Sequence, residues 1–276
     1  MQLGIYNDLE VLRFTSVGAY LGNEKGEDVL LPNRYIPHNL NVGDSIRVFI
    51  YNDSEDRVIA TTEEPLIFLH EFAYLSVQDT NEYGAFLDMG LMKDLFVPYK
   101  EQTVKMKKGG IYLVYMYQDM QSQRLVGTAK IKNHLSKVGR ELSQGDKVNL
   151  LICERTELGQ KVIVNQQYEG LIFEDQLTKD LQVGEQLKGY IYYIRTDGKL
   201  DISLSPIGLE KFDYHENIIL EYLAQHNNQM FFTDRSSPED IRTHFGMSKK
   251  SFKKALGALY KAKKIQLKEN KVLLND

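Results

Sequence analysis

Cysteine occurs once, as Cys153, and tryptophan not at all among the 276 residues. A single thiol excludes an intrachain disulfide framework and leaves no cysteine set for a structural zinc site. Long apolar runs are equally scarce. The most apolar window, LIFLHEFAYLSV, is short and carries His70 and Glu71, well under the roughly 20 apolar residues of a membrane-spanning helix. The opening stretch MQLGIYNDLEVLRF has no basic segment followed by an apolar one, so no secretory leader is read there. Catalytic signatures are missing too. The six histidines (38, 70, 134, 215, 226, 244) are scattered, and there is no HExxH, P-loop, GxGxxG or GxSxG. Cys153 lies in the apolar run LLICE, where a buried structural thiol is expected. No metal and no cofactor is implied; the expectation is a cytoplasmic, non-enzymatic protein without membrane contact.

What is present is enough apolar sequence for packed cores: 42% hydrophobic against 26% charged residues. The length suggests two or more domains. The net charge of −4 hides an asymmetry, because residues 246–276 hold nine lysines against Glu269 and Asp276. That segment is +7, which leaves −11 for residues 1–245. A basic end on an acidic chain points to a surface that meets a polyanion; a lysine-rich solvated helix is the plainer alternative.

Three stretches, 39–65, 103–132 and 180–206, share one grammar. Each starts with a turn at Gly43, Gly109/Gly110 or Gly184 and continues into a strand of alternating apolar residues, such as Ile46, Val48 and Ile50. A polar turn with Asp53, Asp119 or Asp197 follows, then a short strand: RVIAT, RLVGT or KLDIS. More β-rich sequence with turn residues precedes each pair. Short strands at this spacing, restarted three times, read as tandem five-stranded oligonucleotide-binding (OB) barrels rather than one large sandwich. The expected modules are 1–63, 64–134 and 143–207.

After Pro206 the period changes to helical. ENIILEYLAQHN places Ile218, Ile219, Tyr222 and Leu223 on one face. Ser237-Pro238-Glu239-Asp240 is a strong helix start, Gly246 a stop, and Ser248 the cap of a further helix. IQLKENKVLLND then reads as two short strands, so 213–276 has the order of a winged helix. On the last helix Phe252, Ala255, Leu256 and Leu259 share one side. Lys249, Lys250, Lys253, Lys254 and Lys261 take the other, without an acid among them. Such a face suits a phosphate backbone; an acidic protein surface is the alternative.

The middle module carries the sharpest motif, EYGAFLDMG at 82–90. With Asp119 and Arg124 downstream it resembles the S1-type RNA-binding domain. That resemblance implies stacking rings at Tyr83 and Phe86 and polar contacts at Asp119 and Arg124. A histidine frequent in that family is missing from DLFVPYKE, where Phe96 and Tyr99 are the nearby aromatics. Unpaired bases present π faces, and one aromatic platform contributes about 1–3 kcal/mol. Tyr83 and Phe86 are three apart, so both can face a ligand only if Gly84-Ala85 bends or bulges; otherwise Phe86 belongs to the core. The first module keeps a weaker version, SVGAYLG, with Tyr20 in the second ring position and Asp53 and Arg57 matching Asp119 and Arg124. The third has Lys161 where a ring would stand, with Arg195, Asp197 and Lys199 later; a phosphate contact is one reading, and a spacer that fixes domain geometry is the favoured one.

Three such barrels followed by a winged helix resemble the CvfB (conserved virulence factor B) family of Gram-positive bacteria. The resemblance implies a post-transcriptional regulator that binds single-stranded RNA. Two alternatives stay open. One is a DNA-binding regulator led by the lysine helix, although its basic positions lack the arginine, asparagine and glutamine that pair with base edges. The other is a scaffold for ribosomal or RNA-processing proteins.

Overall fold

The computed structural model describes residues 1–138, 141–177, 180–206 and 209–275; Ile207 and Asp276, the last residues of the third and fourth expected modules, lie outside these. Three closed five-stranded barrels and a small helical domain with a three-stranded sheet make up the chain. They group into two compact units, residues 1–135 and 136–276.

The first barrel comprises β1 (Tyr6–Phe14), β2 (Gly18–Gly22), β3 (Asp28–Pro32), β4 (Ser45–Asn52) and β5 (Val58–Thr61). The second comprises β6 (Phe72–Thr80), β7 (Gly84–Leu87), β8 (Leu95–Pro98), β9 (Ile111–Gln118) and β10 (Leu125–Thr128). In unit two, β11 (Lys147–Thr156), β12 (Gly159–Val164), β13 (Tyr168–Phe173), β14 (Gln186–Ile194) and β15 (Leu200–Ser203) form the third. All share one cyclic order, first-second-third-fifth-fourth, with a parallel pairing of the third and fifth strands.

Closure needs a long first strand that pairs on both sides, and each barrel bends that strand at a register shift: Val11/Arg13, Val77/Asp79 and Ile152/Arg155. The repeated turn glycine locks onto the bend. The N–H groups of Gly43, Gly109 and Gly184 each donate to the carbonyl of the bend residue, Val11, Val77 or Ile152, at 2.8 Å. These glycines sit at φ of +89°, +78° and +88°, a region costly for any other residue.

Within unit one the barrels are fused through a face of β4 and β5. Val48, Ile50 and Ala60 point into the first barrel. Their neighbours Phe49, Tyr51 and Ile59 join the core cluster of the second barrel. Hence β4 is buried on both faces over 48–51. The connecting segment fills the joint: Ile67 is buried, and the Phe68 ring lies 5.8 Å from Phe49 and 5.3 Å from Tyr6. Polar ties complete it, with Lys93 Nζ donating to the Asp53 carbonyl at 2.7 Å and Arg124 paired with Asp56.

In unit two, α1 (Leu209–Gln225) begins ahead of the expected 213, because apolar periodicity is legible only from Ile218 onward. β16 (Gln229–Met230), too short for a sequence signal, precedes α2 (Pro238–Phe245), α3 (Lys249–Lys261), β17 (Ile265–Leu267) and β18 (Val272–Leu274). The sheet order is β16-β18-β17. The caps are those read in the sequence. Ser237 accepts from the Asp240 N–H, Ser248 from the Ser251 N–H, and Gly246 takes the left-handed cap at φ 62°. Ile219, Leu223, Ile241, Phe245, Phe252 and Leu259 form the core. On α2, Arg242 donates to the Leu177 carbonyl that follows the third barrel's wall.

Phe49 has no exposed surface, although it points out of its own barrel. Phe49→Ala should cost about 3–5 kcal/mol and loosen both barrels of unit one together. Hydrogen exchange checks this: protection should fall in β1–β5 and β6–β10 alike, whereas a loss confined to one barrel contradicts the fused joint.

Candidate nucleic-acid interface

Alternation along each strand sends every second side chain outward, and register decides which of these meet. On the second barrel Phe86 pairs with Phe96, Phe96 with Val126, and Val126 with Tyr117. These four residues therefore form an outward row across β7, β8, β10 and β9. Phe86, Phe96 and Tyr117 are half-buried, and the Phe86 and Phe96 rings touch at 5.2 Å between centroids. Phe86 is thus a wall residue, outside the core cluster. His134 stacks on Tyr117 at 5.8 Å and on Tyr115 at 4.1 Å, closing the far end of the row. Val126 and Tyr117 carry no sequence motif; the alternation in IYLVYMYQ is the signal that marks Tyr117 as outward.

Tyr83 lies just before β7 and is 66% exposed. The bend that separates it from Phe86 is made by Asn81, whose Oδ1 accepts from the N–H groups of Tyr83 (2.8 Å) and Gly84 (3.1 Å). This corrects the expectation of a bend or bulge at Gly84-Ala85: the register shift is in β6, opposite. Gly84 serves clearance instead. A Cβ there would stand 2.3 Å from the Val97 carbonyl oxygen and 2.8 Å from the Phe96 ring. Tyr99 sits beside Tyr83: its N–H donates to the Tyr83 carbonyl at 3.0 Å and its hydroxyl to the Asn81 carbonyl at 2.6 Å.

Asp119 and Arg124 close the β9–β10 hairpin, with the Asp119 N–H donating to the Arg124 carbonyl at 2.9 Å. The Ser122 N–H and hydroxyl both donate to the Asp119 carboxylate, which holds its pKa below the usual range. Arg124 is turned toward Asp56 of the first barrel. Arg57 occupies the equivalent hairpin of the first barrel, but its guanidinium is gripped by Asp53 at 2.7 Å and Glu55 at 2.9 Å.

The same four positions differ in the other barrels. In the first they are Tyr20, Leu30, Ile59 and Tyr51. Ile59 and Tyr51 are consumed by the joint with the second barrel, and the Tyr20 ring is covered by Arg13 at 4.0 Å, itself held by Asp28. In the third they are Lys161, Leu171, Asp201 and Tyr193. There Lys161 pairs with Glu154, and Asp201 with Arg195. An open aromatic row belongs to the second barrel.

On α3 the sequence-predicted faces hold. Phe252, Ala255, Leu256 and Leu259 are buried, Lys250, Lys253, Lys254 and Lys261 exposed, and Lys249 half-buried. Lys249 and Lys250 occupy the first turn, where the helix dipole disfavours cations, so their gain lies outside the helix. Lys253 has a loose contact with Asp234 at 3.9 Å.

Residues 3–63 match the S1 domain family, and residues 217–274 match the CvfB-like winged helix domain family. Over 281 aligned positions the chain is 26% identical to conserved virulence factor B of Staphylococcus epidermidis, spanning 99% of this chain and 94% of that protein. Along nearly its whole length the chain resembles the CvfB proteins. Its similarity to the uncharacterized protein YitL of Bacillus subtilis is 28% identity, over 96% of this chain and 91% of that one. A solved multidomain protein with nucleic acid binding domains from Streptococcus pneumoniae superposes with a TM-score of 0.41 at 24% identity, covering 99% and 98% of the two chains. S1 barrels and winged helices are nucleic-acid-binding modules, and at that level this chain is a nucleic-acid-binding protein. The S1 match falls on the first barrel, whereas the aromatic motif legible in the sequence lies on the second.

Gly84→Ala should open the β7–β8 pairing or push Phe96 aside, destabilising unit one by about 1–3 kcal/mol. A wild-type melting curve for this variant would refute the clearance role. A second expectation concerns His134. Burial holds its imidazole below the ordinary histidine range, Glu101 opposing and His70 adding to the effect. The unfolded chain therefore takes up this proton first, and the stability gained from neutral His134 is lost as pH falls below about 6.5. Urea midpoints across that range should drop less steeply for His134→Gln than for wild type.

Proposed function

We propose that the protein is a cytoplasmic, non-catalytic RNA-binding protein that regulates gene expression after transcription. One observation carries this reading: the outward row Phe86–Phe96–Val126–Tyr117, continued by Tyr83, on a barrel of the oligonucleotide-binding class. Phenylalanine rings have no donors or acceptors, so they take any unpaired base by its π face and leave sequence unread. A duplex buries those faces, which favours a single strand. Tyr99 flanks the row, and Asp119 and Arg124 stand at the hairpin beside it; Arg124 contacts RNA by exchanging Asp56 for phosphate. Tyr20 and Arg57 of the first barrel are secondary contacts, each released from a local ion partner. Lys249, Lys250, Lys253, Lys254 and Lys261 of α3 add salt-dependent attraction to phosphates. The choice of RNA and of a regulatory role is supported by the resemblance to the CvfB proteins, since the staphylococcal relatives are named as virulence factors.

Fluorescence anisotropy with a labelled single-stranded RNA, the matched DNA strand and a DNA duplex tests the reading at two salt concentrations. RNA should bind tightest. Tyr83→Ala/Phe86→Ala should weaken it by about tenfold or more, given about 1–3 kcal/mol per stacked base. Equal affinity for all three probes, steep in salt and indifferent to the rings, would transfer the function to α3. Wild-type affinity in the millimolar range would point to a protein scaffold instead.

A further inference from the structure

Beside the aromatic row the second barrel has a feature that no sequence motif marks. Between the short 3-10 turn Tyr99–Glu101 and β9 the chain makes a loop around a depression of about 290 Å³, lined by Tyr99, Gln102, Thr103, Val104 and Lys105. Its volume falls just short of the lower end of the range for small-molecule sites, about 300 Å³. The loop is held at both ends. Gln102 donates to the Val97 carbonyl and accepts from the Met106 N–H, each at 2.9 Å, and Met106 is buried in the barrel core. Thr103, Val104 and Lys105 are left exposed between these anchors.

The chemistry of the lining is that of a nucleotide contact. The Tyr99 ring is fixed by its hydroxyl hydrogen bond to Asn81 and offers a flat face. The Lys105 ammonium stands 5.4 Å from that ring's centroid. Four lysines, 100, 105, 107 and 108, fall within nine residues that hold one acid, Glu101. The Glu101 carboxylate accepts from the Thr128 hydroxyl at 2.8 Å, and Lys108 reaches Asp79 at 3.5 Å. Among the described residues no carboxylate pairs with Lys105. In a segment of the chain whose total charge is negative, this is a local positive spot next to a ring. Its position is continuous with the row, because Tyr99 hydrogen-bonds to the Tyr83 backbone.

We propose that this depression binds the next nucleotide of the same single strand. Its base lies on Tyr99 and its phosphate meets Lys105, which leaves the ring as the base arrives. The inference rests on the single-strand reading above and extends it: the row grips bases, and the Tyr99–Lys105 depression lengthens the site and adds a phosphate contact. A longer strand gains from it, whereas a strand that covers the row alone does not.

The test uses the full chain with labelled uridine oligonucleotides of about 4 and about 12 nucleotides, the range of one OB site. Wild type, Lys105→Ala, Lys105→Arg and Phe86→Ala are titrated over several salt concentrations. The expected result for Lys105→Ala is unchanged affinity for the short strand and loss of about fivefold for the long one. Its salt slope for the long strand should fall by about 0.7, one phosphate contact on a single strand, and Lys105→Arg should restore both. Equal behaviour of Lys105→Ala and wild type at both lengths overturns the depression. So does a Lys105-dependent affinity for uridine monophosphate with no gain on lengthening. Phe86→Ala reports separately on the row. If it binds the short strand as wild type does, the stacking reading fails, while the Lys105 comparison on the long strand still decides the depression. A wild type that binds neither strand overturns both.

Discussion

A backbone hydrogen bond from a left-handed glycine to a bent first strand governs all three barrels. Without the bend at Val11, Val77 or Ile152, the first strand could not pair with both the second and the fourth. Without the glycine at φ near +80°, the chain could not turn back to donate at 2.8 Å to that carbonyl. Side chains elsewhere differ freely from barrel to barrel, because the closure is set by backbone geometry that only this turn supplies.

Closure in turn fixes a row of four outward positions across the second, third, fifth and fourth strands, and the chain uses this row in three ways. In the first barrel half of it, Ile59 and Tyr51, is buried in the joint with the second barrel. In the second it presents Phe86, Phe96, Val126 and Tyr117. In the third, Lys161 and Asp201 tie up neighbouring charges. An apolar row on a barrel wall must be covered or bind something. The first barrel meets that requirement internally, the third replaces the row with ion pairs, and the second leaves it open.

Charge follows the same division of labour. Residues 1–245 carry −11, which argues against a broad cationic groove over the barrels; the proposed binding there rests on rings and on single cations placed beside them. The winged helix carries +7 in its last 31 residues and shows a face of α3 built from lysine without arginine. Flexible ammonium groups read phosphate and leave base edges alone. In the proposed function, short-range stacking and long-range attraction thus fall to different modules of one chain.

The sequence by itself determined the modules: the turn glycines, the period-two strands and the polar turns at Asp53, Asp119 and Asp197 are local signals that recur three times. It also determined the winged helix, since Ser237, Gly246 and Ser248 act within one helical turn of their own positions. Tyr83, Phe86 and the lysine face of α3 were legible for the same reason. Tertiary structure alone decided the rest. Phe86, Phe96, Val126 and Tyr117 span 41 positions of chain and meet only through strand register. Arg124 finds Asp56 across a separation of 68 residues, which no local pattern encodes. Gly84 looked like a hinge and is a clearance for Phe96, because the atom it must avoid belongs to a neighbouring strand. Which face of a barrel is covered depends on what packs against it, and that information lies in the folded neighbour rather than in the strand.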